Sequence, residues 1–172
     1  IQIINLSSMK QHSVYSLTVF FSFVMCLLFS NQDAKASHAM GADITYEYIG
    51  PNQYLVTFSF YRDCTGIPAP SSIDLDITNS CGFPAQSVFM NPLPSSPTQI
   101  SPVCSTEVTT CNGGLYTGIE EWIYQATVTL PGPCADWNFS HGESARNSAI
   151  TTITGAGSDI LYVYTQLNNT AG

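Results

Sequence analysis

Basic side chains are scarce in this 172-residue sequence. It contains four Lys and Arg residues against twelve Asp and Glu, which gives a formal net charge of −8 at pH 7. After residue 36 the only Lys or Arg residues are Arg62 and Arg146. A nucleic-acid-binding surface needs clustered Lys and Arg to release phosphate counterions, and anionic membrane surfaces attract basic segments in the same way. The composition therefore excludes nucleic acid and anionic membranes as partners.

Metal-ligand and catalytic spacings are also missing. The sequence has no C-x-x-C pair and no two neighbouring histidines, so a zinc site is not expected. His141 and Glu143 have the H-x-E spacing of zinc deaminases, but the C-x-x-C that should follow is absent, so we interpret the match as coincidence. His12 and His38 belong to the start of the chain. We expect no catalytic residue, no cofactor and no enzymatic activity.

Two carboxylate pairs remain as candidate sites. Asp74 and Asp76 are two positions apart in a predicted strand, so they share a face and would bind calcium if a third oxygen donor joined them. A solvated polar face is the favoured interpretation, because no EF-hand-like loop accompanies them. Glu120 and Glu121 are adjacent, and adjacent strand residues point to opposite faces. The prediction is therefore no metal, with Asp74 and Asp76 as the calcium candidates.

Helical periodicity is absent after residue 29, and alternation of apolar and polar residues replaces it. Short alternating runs rich in Val, Ile, Thr, Tyr and Phe are separated by Gly- and Pro-containing turns, which predicts strands. The predicted strands cover 44–49, 53–62, 73–78, 120–130, 137–139 and 159–167. Residues 91–102 contain four prolines and are predicted as loop or edge. The pattern favours an all-β fold, an immunoglobulin-like antiparallel β-sandwich with disulfides, and a barrel is the alternative.

The longest apolar run, residues 14–29, predicts a secretory signal peptide. A basic start at Met9-Lys10 precedes it, and the small-x-small sequence Ala34-Lys35-Ala36 follows it. We predict a helical leader over 9–36 that is cleaved between Ala36 and Ser37, upstream non-structural residues 1–8, and a β-sandwich module over 37–172. The run is shorter than the roughly 20 residues that span a bilayer. A retained membrane anchor and a lipoprotein cleaved at Cys26 are the disfavoured alternatives.

Five cysteines follow the predicted cleavage site, and we interpret them as structural disulfides of an oxidising, extracellular compartment. Cys104 and Cys111 flank a short loop and are the preferred pair, which would contribute roughly 2–3 kcal/mol by loop closure. Cys64 paired with Cys134 or Cys81 is the next possibility, and the sequence does not resolve it. Because five is odd, one thiol is left over, and we expect its partner beyond Gly172.

Tyrosines are placed where they serve either the core or a ligand. Tyr46, Tyr48, Tyr162 and Tyr164 would form a platform for stacking sugars if they were exposed together, although core packing is the commoner role of such residues. Residues 160–164 are apolar at every position, which predicts a strand buried on both faces. We therefore expect the chain to be the N-terminal part of a longer polypeptide that covers this strand.

Several motifs in order carry a resemblance to a known family. They are SHAMGADITY at 37–46, YRDCTG at 61–66, SPVC at 101–104, CNGG at 111–114, CADW at 134–137 and RNSAI at 146–150. Together they resemble the N-terminal region of large secreted surface proteins of Bacteroidota. Such proteins often continue into PKD-type repeats and end in a gliding-motility-associated, type IX secretion sorting domain. The family's Cys-Cys before the RNSAI motif is replaced here by Ser144-Ala145.

The resemblance implies an extracellular, non-catalytic structural or interaction module of a secreted or surface-attached adhesin-like protein linked to gliding motility. Its expected partners are downstream domains of the same chain and surface glycans or proteins, with no stable membrane insertion after cleavage. The alternative is a carbohydrate-binding accessory module of a secreted hydrolase, which predicts exposed aromatic side chains on one flat face. An enzyme is the third possibility, and it would need a pocket that gathers His141, Glu143 and an acidic residue from elsewhere in the chain.

Overall fold

The computed structural model describes residues 38–144 and 146–170 of the chain. The predicted leader over 9–36, its cleavage site and the upstream residues 1–8 lie outside the described residues. Within the described part, no helix has the length and apolar character needed to span a bilayer.

Eight antiparallel strands and two short 3₁₀ turns make up the described fold. The turns are Thr110–Asn112 and Ala156–Ser158. The strands are β1 Ala39–Gly50, β2 Gln53–Asp63, β3 Ile73–Thr78, β4 Gln86–Pro92, β5 Thr98–Gln99, β6 Ile119–Thr129, β7 Trp137–Glu143 and β8 Leu161–Leu167. The prediction of an all-β, antiparallel, disulfide-containing sandwich is confirmed. The predicted strands 44–49 and 53–62 leave a three-residue connection, whereas the structure joins β1 and β2 by Pro51-Asn52 alone, and Asn52 adopts a φ of +56°.

The strands form two layers that share β4. In the first layer β2 lies between β1 and β6, and the short strand β5 also pairs with β6. In the second layer the order is β4, β3, β7 and β8. Residues 86–90 of β4 pair with β3, whereas Asn91 and Pro92 pair with β6. The two layers are therefore joined along one side, in a sandwich with some barrel character.

The core lies between the layers and follows from the alternation of the strands. Inward positions of β2, β3, β6 and β7 supply its largest members: Phe58, Phe60, Leu75, Ile77, Tyr124, Trp137 and Phe139. Two of the buried polar aromatics have partners, since the Tyr124 hydroxyl donates to the carbonyl of Pro70 at 2.6 Å and the Trp137 ring N–H donates to that of Gly132 at 3.2 Å. Burial of amphipathic rings with their polar atoms satisfied is stabilising.

Two disulfides join segments outside the strands, and they differ from the predicted pairing. Cys64 pairs with Cys111 and Cys81 with Cys134, with Cα atoms 5.0 and 5.9 Å apart. The predicted pair Cys104–Cys111 is wrong, as are both partners considered for Cys64. Among the described residues, Cys104 is the unpaired and exposed cysteine. Two disulfides are typical of a protein from an oxidising compartment.

Tertiary folding explains this pairing. The segment after the first 3₁₀ turn folds back on the end of β2, where the backbone N–H of Cys64 donates to the carbonyl of Gly118 at 3.0 Å. A Cβ atom at Gly118 would collide with the Cys111 sulfur, so a bare backbone is needed there. Cys81 follows β3 and Cys134 precedes β7, and these two strands are hydrogen-bonded neighbours. Closeness in sequence, which favoured Cys104, decides neither pair.

Arg62 organises the turn that follows β2. Its Nη1 atom donates to the Glu120 carboxylate of β6 at 2.8 Å, and the two side chains are mostly buried. Its Nε and Nη2 atoms donate to the carbonyls of Ile67 and Gly66 at 2.7 and 2.8 Å. The planar fork of a guanidinium suits this combination of one carboxylate and two carbonyls. Arg62 therefore fixes the loop that carries Cys64.

Candidate functional site

Two tyrosine-lined surfaces lie on either side of β8. The first, here called the tyrosine face, is a shallow depression of about 400 Å³ on the outward surface of the second layer. Its lining comes from the strand ends of β3, β7 and β8 and from the loops beside them: Thr78, Asn79, Ser80, Asp136, Asn138, Tyr162, Tyr164 and Gln166. It combines two aromatic rings with hydroxyl, amide and carboxyl groups, which is a common composition of ligand sites.

Tyr162 and Tyr164 form the aromatic part of this face. They are 59% and 60% exposed, and their ring centroids are 6.1 Å apart at an interplanar angle of 31°. Leu161 and Val163, between and beside them, point inward and pack on the core. The prediction that this strand is buried on both faces is therefore wrong. Alternation along β8 turns every second residue to solvent, and tyrosine tolerates that position because its hydroxyl is hydrated.

Asp136 supplies a charged acceptor at the end of the tyrosine face. Its Oδ1 atom accepts a hydrogen bond from the backbone N–H of Ser80 at 3.1 Å. Hydrogen bonding from Ser80 lowers the pKa of Asp136 below its ordinary value, because it favours the ionised form. The carboxylate is therefore charged at neutral pH and marks one end of the depression.

The second surface, here called the β1–β8 cleft, lies where the two layers separate. It is about 570 Å³ in volume and is lined by Tyr46, Tyr48, Pro51, Asn52, Tyr54, Leu167, Asn168 and Asn169. Tyr54 is the buried floor, whereas Tyr46 and Tyr48 are 38% and 63% exposed. Both exposed rings meet Tyr54 edge to face, with centroids 6.2 and 5.8 Å away. This arrangement is typical of stable aromatic pairs and holds the rings in place.

The cleft and the tyrosine face are adjacent but separate. The hydroxyl of Tyr46 donates to the backbone carbonyl of Gln166 at 3.1 Å, and the side chain of Gln166 lines the face on the other side of β8. The structure thus places the four predicted tyrosines in two sites, with Tyr46 and Tyr48 in one and Tyr162 and Tyr164 in the other. Tyr46 and Tyr48 occupy inward positions in the part of β1 that extends past the core. Tyr162 and Tyr164 occupy outward positions of β8.

His141 and Glu143 lie on inward positions of β7. The Nδ1 atom of His141 is 2.8 Å from the carbonyl of Asp74, and its Nε2 atom is 3.7 Å from the Glu143 carboxylate, too far for a hydrogen bond. Burial lowers the pKa of His141, but Glu143 and the Asp74 carbonyl outweigh it, so the net pKa is raised. These contacts hold the end of β7 against β3, which is a structural role.

His38 is buried beside Phe60, with ring centroids 5.5 Å apart. Neither ring nitrogen has a hydrogen-bond partner among the described residues. Burial lowers the pKa of His38, the charge of Glu143 opposes this, and Arg62 adds to it. His38 is therefore a core residue that favours the neutral form.

The positions of the carboxylate pairs Asp74–Asp76 and Glu120–Glu121 follow from the strands that carry them. Asp74 and Asp76 are exposed on the outward surface of β3, as the prediction of a shared face requires. Within the described ranges, no third His, Cys or acidic side chain joins them in a group close enough to share a metal ion. The two groups that do form each contain a disulfide, whose sulfurs are not thiolate ligands. Glu120 accepts from Arg62 and from the Trp122 ring N–H at 3.2 Å.

Polar residues of both sites were not singled out from the sequence. Asn52, Asn168 and Asn169 join the cleft, and Asn138 and Gln166 join the tyrosine face. Only Asn52 has a local signal, since it lies in the turn Pro51-Asn52. The others are ordinary surface amides until the packing of β7 and β8 brings them to the tyrosines.

No family model matches the chain. No curated protein and no solved structure matches it either. The fold and the two surfaces define a disulfide-bonded antiparallel β-sandwich protein with exposed tyrosine sites.

Proposed function

We propose that the chain is an extracellular, non-catalytic structural or interaction module of a secreted or surface-attached adhesin-like protein associated with gliding motility. The observation that carries the proposal is the exposed pair Tyr162–Tyr164 on the outward surface of the second layer. Exposed tyrosines are enriched in binding surfaces, because they offer a rigid apolar ring with a polar tip at low entropic cost. Two disulfides support an extracellular location.

Binding of the purified chain to the surface glycans and proteins of bacterial cells tests this proposal. We expect saturable binding that the double change Tyr162→Ala and Tyr164→Ala weakens by about tenfold or more, because both rings leave the face. Tyr116→Ala removes a tyrosine of similar exposure that lies outside β8 and is the matched control. Unchanged binding by the double variant, or hydrolysis of a glycan without stable binding, would contradict the proposal.

A carbohydrate-binding accessory module of a secreted hydrolase is the second candidate. It is favoured by the position of the tyrosine pair next to the carboxylate of Asp136 and the amides of Asn138 and Gln166 on one shallow face. Depletion of the chain from solution by insoluble cellulose, chitin or xylan distinguishes the two candidates. Depletion that requires Tyr162 and Tyr164 supports this one, whereas binding to surface proteins alone supports the first.

A further inference from the structure

We propose that the β1–β8 cleft is a separate binding site that takes a short stretch of an uncharged sugar chain. The inference does not depend on the tyrosine face, because the cleft lies on the other side of β8 and is lined by a different set of residues. Its volume of about 570 Å³ falls within the range of small-molecule sites in proteins.

The aromatic rings of the cleft are preorganised for stacking. Tyr54 is 6% exposed and forms the floor, and Tyr46 and Tyr48 stand at interplanar angles of 86° and 69° to it. The Tyr46 hydroxyl is further held by the carbonyl of Gln166. The faces of such rings are electron-rich and attract the polarised C–H groups of a sugar ring. Because the rings are already fixed by their neighbours, little conformational entropy is lost on binding.

Hydrogen-bonding groups are available beside these rings. None of the hydrogen bonds among the described residues uses the Tyr48 hydroxyl or the side-chain amide of Asn52. By contrast, the Oδ1 atom of Asn169 accepts from the backbone N–H of Cys134 at 2.7 Å, so Asn169 is structural. A side-chain amide both donates and accepts, and neighbouring sugar hydroxyls do the same. The side-chain amide of Asn52 and the hydroxyl of Tyr48, which make no hydrogen bonds to other described residues, therefore match a polyhydroxyl ligand.

The charge of the site selects against other ligand classes. Of the described residues that line the cleft, none is charged, and the chain carries a formal net charge of −8. Acidic sugars would be repelled by this field without a compensating cation in the site. Proline-rich peptides also dock on aromatic grooves, but their backbone offers chiefly carbonyl acceptors and has few donors for the side-chain carbonyl of Asn52. An uncharged sugar chain fits the lining better than either.

Isothermal titration of the purified chain tests the assignment. The probes are cellohexaose, laminarihexaose, mannohexaose and chitohexaose, with hexagalacturonate as the charged comparator and decaproline as the peptide comparator. The variants are Tyr48→Ala and Asn52→Gly. Glycine adopts the φ of +56° found at Asn52, so that change removes the amide and keeps the turn. Tyr116→Ala, which removes a tyrosine that is 51% exposed and lies outside both surfaces, is the matched control. Tyr164→Ala reports on the tyrosine face, and thermal unfolding confirms that each variant is folded.

We expect at least one neutral hexasaccharide to bind, with an affinity that falls about tenfold in Tyr48→Ala and about threefold in Asn52→Gly. The Tyr116→Ala control should stay within about twofold of the unchanged chain. The assignment is overturned if no neutral sugar binds at about 10 mM, or if decaproline or hexagalacturonate binds more tightly. Binding that is lost in Tyr164→Ala and kept in Tyr48→Ala also overturns it, and would instead support the tyrosine face of the proposed function.

Discussion

The side-chain amide of Asn147 donates a hydrogen bond to the Oδ2 atom of Asp63 at 3.1 Å, across 84 positions of sequence. Both residues are buried, and the backbone of each also bonds the start of β1. The N–H of Asp63 donates to the carbonyl of His38, and the N–H of Asn147 donates to the carbonyl of Ala39, both at 2.9 Å. Three distant segments therefore meet at one point. They are parts of the SHAMGADITY, YRDCTG and RNSAI motifs, so these motifs are joined by structural contacts.

Removal of the Asn147 amide is expected to destabilise the fold. Asn147→Ala leaves the buried Asp63 carboxyl group with one partner fewer, which costs about 1–3 kcal/mol of unfolding free energy. Urea unfolding at pH 7 measures the change. Asn112→Ala is the control. The amide of Asn112 also donates a hydrogen bond, to Gln99 at 2.7 Å, but the side chain is exposed. This substitution should therefore change the unfolding free energy by less than about 0.5 kcal/mol. Equal changes of unfolding free energy in the two variants would show that the Asn147–Asp63 hydrogen bond does not stabilise the fold.

Arg62→Lys is expected to be destabilising even though it keeps the charge. Lysine retains attraction to Glu120 but lacks the fork that also bonds the carbonyls of Gly66 and Ile67. We expect a loss of about 1–2 kcal/mol in urea unfolding, because two carbonyl contacts are lost, and the one to Gly66 is partly buried. A Lys variant as stable as the original chain would show that the attraction of opposite charges is sufficient. Glu120→Gln, which keeps a hydrogen-bond acceptor, separates the contribution of charge from that of geometry.

The two disulfides are expected to make similar contributions to the free energy of unfolding. The residues that they join are separated by similar distances in sequence, 47 and 53 residues. Replacing Cys64 and Cys111 together by Ser should lower the unfolding free energy by about 2–4 kcal/mol, since loop-closure entropy is then no longer removed from the unfolded chain. Cys104→Ser should change it by less than about 0.5 kcal/mol. Thermal or urea unfolding under non-reducing conditions measures these differences.

Peptide mapping provides an independent check of the pairing. Without reduction, iodoacetamide should alkylate Cys104 and leave the other four cysteines of the described region unmodified, because Cys104 is exposed and unpaired there. A disulfide-linked peptide that contains Cys104 and Cys111 would contradict the structure and restore the pairing predicted from the sequence.

His38 is expected to make stability depend on pH. Its folded pKa is lowered mainly by burial from an ordinary value of 6.5, so protons bind the unfolded chain preferentially. The stabilisation that neutral His38 contributes is therefore fully present above pH 6.5. It is lost as the pH falls from 6.5 toward the folded pKa. His38→Phe, which packs a similar ring beside Phe60 without titrating, should lose less stability than the original chain between about pH 7 and pH 5 in urea unfolding.

His141 contributes with the opposite sign and serves as the comparison. Its folded pKa is raised, so its stabilisation is present below the ordinary value of 6.5 and is lost as pH rises through the folded pKa. His141→Gln should therefore steepen the loss of stability on acidification, whereas His38→Phe should flatten it. Profiles of both variants that run parallel to that of the original chain would show that neither histidine titrates differently in the folded and unfolded chains.

The local pattern of residues was sufficient to predict most of the strands. Alternation along β2 and β3 correctly identified their inward residues, such as Phe58 and Leu75, because side chains of a strand alternate between faces whatever the strand pairs with. The same rule correctly placed Asp74 and Asp76 on one face. The leader, the secretion of the chain and the family resemblance remain predictions, because the described residues do not bear on them.

Only the tertiary structure decided which distant groups meet. Cys111 pairs with Cys64 because the loop before β6 folds onto the end of β2, and four similar tyrosines separate into two sites because β8 lies between them. Side-chain alternation is a property of each strand, which the sequence carries. Strand order, layer separation and loop closure depend on contacts between residues far apart along the chain, and no local pattern of amino acids specifies them.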